Sequence, residues 1–265
     1  MATTFAGDGI DAPPVPVATR DRGRLFVVYA WTCLAVAFGG FVPSFWYPLS
    51  TTGFAGSWLV IVHGLMFSSW TVVFVTQTLL VERGRVIDHR AWGVAGVSLA
   101  SMLFLIGIAT AVGSLETRLA DGFGDRARAF TIVPMSNVVL FFGFFAAAVA
   151  NVRRPDWHKR LMMTATGIAL VPAFARIFFV LMDGRAIGAT GATSAPSTPL
   201  IALRPSAAVL VLLLGAALAD RRQRGSLHPA WLWGMAIFVA VCLVRVPVSQ
   251  TAGWYAVADW LVAFG

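Results

Sequence analysis

The chain has 265 residues, of which 58% are hydrophobic and only 12% are charged, and its mean hydropathy is +0.78. A soluble domain has about 25% charged residues, so this composition excludes a single globular core with a polar surface and predicts a protein embedded in lipid. The net charge of +8 would suggest nucleic acid in a soluble protein, but here the basic residues stand in short groups between apolar runs. We therefore expect the lipid bilayer as the partner, and no nucleic acid.

Seven apolar runs follow a polar N-terminal stretch, which we predict to be a disordered cytoplasmic tail (1–24). Each run is near the ~20 residues that a helix needs to cross a hydrocarbon layer of ~30 Å. Backbone amides in lipid need partners within their own segment, so these runs are helices. The predicted spans are 25–48, 56–81, 92–113, 130–151, 158–182, 200–219 and 230–249.

The predicted fold is all-α: a polytopic membrane helix bundle of seven transmembrane helices, in a membrane domain covering 25–250. Residues 251–265 carry Trp254, Tyr255 and Trp260, which predict a short interfacial C-terminal helix. Histidines recur near the ends of three arginine-bearing turns, at intervals of 69 and 70 residues. This near-equality suggests three repeated helical hairpins after a lone first span.

The basic residues predict how the chain is oriented. Thirteen Lys and Arg residues lie in the tail and in the second, fourth and sixth connections, against four on the other side. Basic connections remain in the cytoplasm, so we expect the N-terminus inside and the C-terminus outside. For a bacterial protein this places the chain in the inner membrane.

Four basic side chains lie within the predicted spans near their outer ends, at one depth of roughly 6–10 Å below the interface by ~1.5 Å per residue. They are His63, Arg176, Arg204 and Arg245. An arginine inside a span costs at least ~2.5 kcal/mol near the centre unless it snorkels or is paired, and no carboxylate lies inside the predicted spans. The layer predicts a ligand-binding site for an anionic or carbonyl ligand entering from outside. A histidine there can ligate haem or a metal, hold a quinone carbonyl, or bond a neighbouring helix.

Three further histidines stand at the cytoplasmic turns, each at or just before the start of a helix: His89, His158 and His228. If the hairpins are neighbours, three imidazoles suffice for a zinc, copper or iron site with an open position. Asp88, Asp156 and Asp220 are close enough in sequence to ligate or orient them. Asp88 and Asp156 equally suit helix N-caps, and histidine beside tryptophan is ordinary at a membrane surface.

Sequence signatures of common catalytic classes are absent. The chain has no H-E-x-x-H, G-x-S-x-G or Walker A sequence, no dinucleotide fingerprint and no C-x-x-C-H. Hydrolases and nucleotide-driven pumps are therefore disfavoured. The sequence names no catalytic residue and does not decide whether the protein is an enzyme.

Two turn sequences carry a resemblance: H-R-A-W-G beginning at His89, and P-D-W-H-K-R-L-M around His158. Together with the histidine of span two and the Pro and Arg of span five, they resemble uncharacterised bacterial polytopic membrane proteins whose turns carry H-R-x-x-G and H-K-R-L-M. That family is distantly similar to membrane cytochromes b with histidine haem ligands. The resemblance implies a multi-helix membrane protein in which His63, His89, His158 and Arg176 belong to the recurring pattern.

These observations favour an inner-membrane protein that binds a small ligand or cofactor at an intramembrane His/Arg site. Its role would be redox-linked if the cofactor is haem b, a metal ion or a quinone. One alternative is an accessory subunit of a larger membrane complex, with partner subunits meeting the intramembrane arginines. The other is a small anion transporter that uses the arginine layer.

Overall fold

A computed structural model describes residues 18–51, 54, 56–183 and 198–263, and in these ranges the chain is helical without a strand. The α-helices in the described ranges are α1 (Ala18–Phe41), α2 (Tyr47–Ser50), α3 (Trp58–Glu82), α4 (Val86–Ala120), α5 (Gly124–Ala150), α6 (Pro155–Ala169), α7 (Val171–Asp183), α8 (Leu203–Arg224), α9 (Pro229–Val248) and α10 (Ala252–Ala263). A π-helical segment, Val42–Trp46, joins α1 to α2, and a 3₁₀ turn, Pro199–Ala202, precedes α8. Residues 1–17 of the predicted tail lie outside the described residues, and α1 begins at Ala18.

The membrane-spanning character of the bundle agrees with the prediction. In the described ranges six helical segments are long and apolar enough to cross a bilayer, and α6 with α7 makes a seventh when this bent pair counts as one span. The all-α polytopic fold is therefore confirmed. Helix α4 is longer than its predicted span of 92–113, because its helical hydrogen bonding continues through polar residues at both ends.

Three helix pairs turn at one end of the bundle: α3 with α4, α5 with α6, and α8 with α9. The first and third turns contain Gly84 and Gly225 with φ of +73° and +81°, a left-handed conformation that favours glycine. The second turn ends at Pro155, whose fixed φ suits the first position of α6. We call this end of the molecule the turn end.

Two spans are broken near the opposite end. The first span passes through the π-helical segment, which contains Pro43, and the fifth bends by 40° between α6 and α7. Pro172 stands at this bend and has no N–H to donate to the preceding turn, so the helix cannot continue regularly through it. The two broken spans are neighbours, because α1 packs on α7.

A glycine permits this contact. A Cβ added at Gly40 would lie 2.7 Å from the backbone oxygen of Ala173, whereas one added at Gly39 would meet nothing within 4 Å. We expect Gly40→Ala to force α1 away from α7 and to lower the free energy of unfolding by about 1–3 kcal/mol. Gly39→Ala is the matched control, and it should be neutral or slightly stabilising. Unfolding in mixed detergent micelles measures both, and equal behaviour of the two variants would contradict the close approach.

The C-terminal helix α10 lies against α4 and α5. Arg128 donates from Nε to Asp259 at 2.7 Å, and the Trp254 indole donates to the Arg128 carbonyl at 2.8 Å. Ala258 is fully buried in a small cluster with Leu115 and Ala127. A helix therefore forms within the predicted 251–265 segment, and its last two residues lie outside the described part of the chain.

Candidate functional site

His63 and Arg176 lie together at the end opposite the turn end, where the two broken spans meet. Arg176 donates from Nε to the Ser44 hydroxyl at 3.0 Å and from Nη1 to the Pro172 carbonyl at 3.1 Å. Its guanidinium carbon lies 4.2 Å from the centre of the Phe41 ring, a cation–π distance. The broken first span supplies both Phe41 and Ser44, so the backbone irregularity positions the partners of this arginine.

The imidazole of His63 comes from the first turns of α3, and its neighbour Gly64 packs on Phe45, next to the Ser44 that bonds Arg176. Its ring packs on Phe67, with the ring centres 4.6 Å apart. The Nδ1 atom is enclosed by protein and has no hydrogen-bond partner among the described residues. A buried polar nitrogen without a partner costs about 1–3 kcal/mol, so this position favours a further binding group.

The other two arginines of the predicted layer do not share these contacts. Arg204 is exposed at the start of α8. Arg245 is buried at the end of α9 and bonds Ser136, Asn137 and Ser206. The structure thus brings His63 and Arg176 together, whereas Arg245 forms a second polar centre between α5, α8 and α9.

At the turn end, two of the three histidines are neighbours. The rings of His89 and His158 meet edge to face with centres 6.3 Å apart. His158 donates from Nδ1 to the Ala148 carbonyl at 2.8 Å. The Gln77 side chain is oriented so that its amide nitrogen donates to Nδ1 of His89 and its amide oxygen accepts from the backbone N–H of Gly93.

His228 has a different environment. Its Nδ1 accepts the backbone N–H of Ala230 at 3.1 Å and so caps α9, while its ring lies edge-on to Trp157. Among the described residues, no group of three or more His, Cys, Asp or Glu side chains has the arrangement of a metal site. The hairpins are neighbours, but in the described part of the chain their three imidazoles are not gathered around one point.

The His228 cap makes stability depend on pH. Burial, with the nearby guanidinium groups of Arg160 and Arg224, lowers the pKa of His228 below its usual value, outweighing the carboxylates of Asp156 and Asp220. As the pH falls, His228 is therefore protonated in the unfolded chain at a higher pH than in the folded protein. The stability from the neutral cap is present above about pH 6.5 and is lost as the pH falls through the unfolded and then the folded pKa.

We expect His228→Asn, which keeps a capping oxygen but does not titrate, to flatten this part of the pH dependence. Thermal unfolding between pH 7.5 and pH 5 measures it, with wild type in parallel because the other histidines are present in both proteins. Identical pH profiles would contradict the role of the neutral His228 cap.

A buried ion pair at the turn end is the feature that sequence reasoning missed. Arg160 on α6 is 1% exposed and binds both carboxylate oxygens of Asp220 on α8, each at 2.7 Å. The Trp231 indole donates to the same carboxylate at 3.0 Å. Arg160 also donates to the backbone oxygen and the carboxylate of Asp156. The sequence contained one indication of this pair: Asp220 follows directly on an apolar run, and an acid at such a position needs a partner.

Comparison with known proteins identified no relative of this chain. No family model, curated protein or solved structure matches this chain. The resemblance of the two turns to uncharacterised bacterial membrane proteins therefore remains a prediction. What the fold and composition establish is a multi-pass membrane helix bundle.

Proposed function

We propose that this protein binds a small ligand bearing an anionic or carbonyl oxygen between His63 and Arg176. The observation that carries the proposal is the enclosed Nδ1 of His63, which has no hydrogen-bond partner among the described residues and lies beside the π-helical segment that bonds Arg176. The contacts of Arg176 within the described residues are all to uncharged groups. A ligand oxygen would supply the acceptor that this pair lacks.

The chemistry of the donors narrows the ligand. A guanidinium offers planar N–H groups that match carboxylate and phosphate, and a neutral imidazole can donate one N–H. Ser44 and Pro172 hold Arg176 through Nε and Nη1, which leaves Nη2 as the nitrogen available to a ligand. These groups suit a carboxylate, a phosphate or a quinone carbonyl. A redox role would follow if the bound molecule is a quinone.

Extraction of the purified protein tests the proposal. The full chain is isolated in a mild detergent, and its bound molecules are identified by native mass spectrometry and by organic extraction. We expect one carbonyl-, carboxylate- or phosphate-bearing molecule per chain. An absorbance spectrum and metal analysis of the same sample test haem b and metal ions. Protein that retains no molecule, and that binds none from a lipid and quinone mixture, would contradict the proposal.

We further propose that the turn end faces the cytoplasm of a bacterium and that the His63–Arg176 pair lies near the outer surface of the inner membrane. The support is the excess of basic residues in the connections at the turn end. A cysteine introduced at Ser226 should then react with membrane-impermeant reagents only after the cell is opened. Labelling of intact cells would contradict this orientation.

The subunit alternative is tested by the same purification. If the bundle serves as an accessory subunit, a second protein should remain with it at fixed stoichiometry in gentle detergent. The transporter alternative would require flux of a small anion into vesicles containing the purified protein. A partner protein and anion flux can each be distinguished from ligand retention, because neither requires a small molecule that stays bound to the isolated chain.

A further inference from the structure

Among the arginines that the structure describes at the end opposite the turn end, Arg245 is the most completely buried. It is 2% exposed, and three neutral groups surround its terminal nitrogens. Nη1 donates to the Ser136 hydroxyl at 3.3 Å and to Asn137 Oδ1 at 3.1 Å, while Nη2 donates to the Ser206 hydroxyl at 3.0 Å. The centre therefore links α5, α8 and α9.

The charge of this arginine is not neutralised by these contacts. A guanidinium stays protonated in proteins, and an unpaired buried charge is among the costliest groups a fold can contain. No ion pair joins Arg245 to a carboxylate within residues 18–51, 54, 56–183 and 198–263; the ion pairs of arginine there involve other arginines. The site thus has hydrogen-bond partners but no counter-ion.

One edge of the guanidinium also lacks a complete set of hydrogen-bond acceptors. Nε of Arg245 is enclosed and lacks a hydrogen-bond partner among the described residues. Nε–H and one Nη2–H point in the same direction and form the edge with which arginine holds an anion in a bidentate way. The hydroxyls of Ser136 and Ser206 already donate to the carbonyls of Val133 and Ala202, so they accept from Arg245 and do not compete for an anion.

We propose that Arg245 is the centre of a buried site for a small inorganic monovalent anion, of which chloride is the test case. The anion accepts the Nε–H bond and neutralises the single positive charge. Near-complete burial favours a small ion over a headgroup or a metabolite. This site has its own partners, and the inference does not depend on the His63–Arg176 proposal.

Thermal unfolding of the full chain in detergent tests the site. Sodium gluconate is replaced stepwise by sodium chloride, bromide or nitrate at constant ionic strength. We expect a saturable rise in melting temperature of about 5–10 °C when the anion reaches a hundred times its dissociation constant. A melting temperature that is the same in gluconate and in all three small anions would overturn the proposal.

Asn137→Asp provides the decisive variant. It keeps the side-chain shape and replaces the amide oxygen at 3.1 Å from Nη1 with a carboxylate, which supplies a fixed counter-ion. The variant should melt higher than wild type in gluconate and should lose the chloride-dependent rise. A variant that retains the full rise would contradict the site.

Two variants of other arginines test whether the chloride-dependent rise in melting temperature comes from Arg245. Arg204→Gln changes an exposed arginine near the start of α8 and should retain the rise in chloride. Arg176→Gln should also retain it, which separates this site from the proposed ligand site. Loss of the rise in Arg176→Gln alone would assign the anion to the His63–Arg176 pair and would overturn the assignment to Arg245.

Discussion

Asp220→Asn is expected to lower the free energy of unfolding by about 3 kcal/mol, because it removes the buried counter-ion of Arg160 and leaves the exposed Asp156 carboxylate as the acidic partner. Both side chains are almost inaccessible, and two bonds of 2.7 Å join them. The same carboxylate also accepts from Trp231. One substitution therefore disturbs the junction of α6, α8 and α9.

A double-mutant cycle measures this interaction in the folded bundle. Unfolding is followed in mixed detergent micelles for Asp220→Asn, Arg160→Met and the double variant. We expect the double variant to be more stable than the sum of the single losses predicts, since it leaves neither charge unpaired. Strict additivity would contradict the buried pair.

The exposed pair of Arg85 and Asp88 is the matched control. Its atoms also approach to 2.7 Å, but both side chains are exposed to solvent. Asp88→Asn should cost no more than about 1 kcal/mol, as is usual for surface ion pairs. A loss equal to that of Asp220→Asn would show that distance, and not burial, sets the energy.

Arg176→Gln is expected to reduce ligand affinity by about tenfold to a hundredfold. Hydrogen bonds to a charged group contribute about 1.5–3 kcal/mol, and each 1.4 kcal/mol is tenfold in affinity. Arg176→Lys keeps the charge but loses the planar set of donors, so its affinity should lie between those of wild type and the glutamine variant. Titration of the identified ligand into delipidated protein measures all three.

Two controls separate binding from folding at this site. Ser44→Ala removes one partner of Arg176 without touching its charge, so it should lower affinity less than Arg176→Gln does. Melting temperatures of the same samples report any loss of structure. If Ser44→Ala and Arg176→Gln weaken binding equally, the guanidinium charge is not what holds the ligand.

Much of the bundle could be predicted because lipid imposes simple length and hydrogen-bonding requirements on a span. Counting residues from the ends of the predicted spans placed His63 and Arg176 at one depth, and in the structure both lie beside the π-helical segment. Residue counting could not predict that Arg204 is exposed on the bundle surface and that Arg245 is buried in its interior, because the depth of a residue does not specify which way its helix face points. Direction depends on packing, here of α9 on α5 and α8.

The turn end shows the same limit. The basic cluster around His158 predicted an orientation, and its histidine suggested a metal site with His89 and His228. The side chain that organises this end is Arg160, whose partner Asp220 stands 60 residues away in sequence. A pair of residues so far apart leaves no local pattern in the sequence, whereas a membrane span is visible as a run of apolar residues.

Native mass spectrometry of wild type, Arg176→Gln and Arg204→Gln tests the central claim most directly. The three proteins are purified side by side in the same detergent, and the bound fraction of each is measured. A ligand near the His63–Arg176 pair predicts retention by wild type and by Arg204→Gln, and loss by Arg176→Gln. Equal retention by all three proteins, or retention by none, would contradict it.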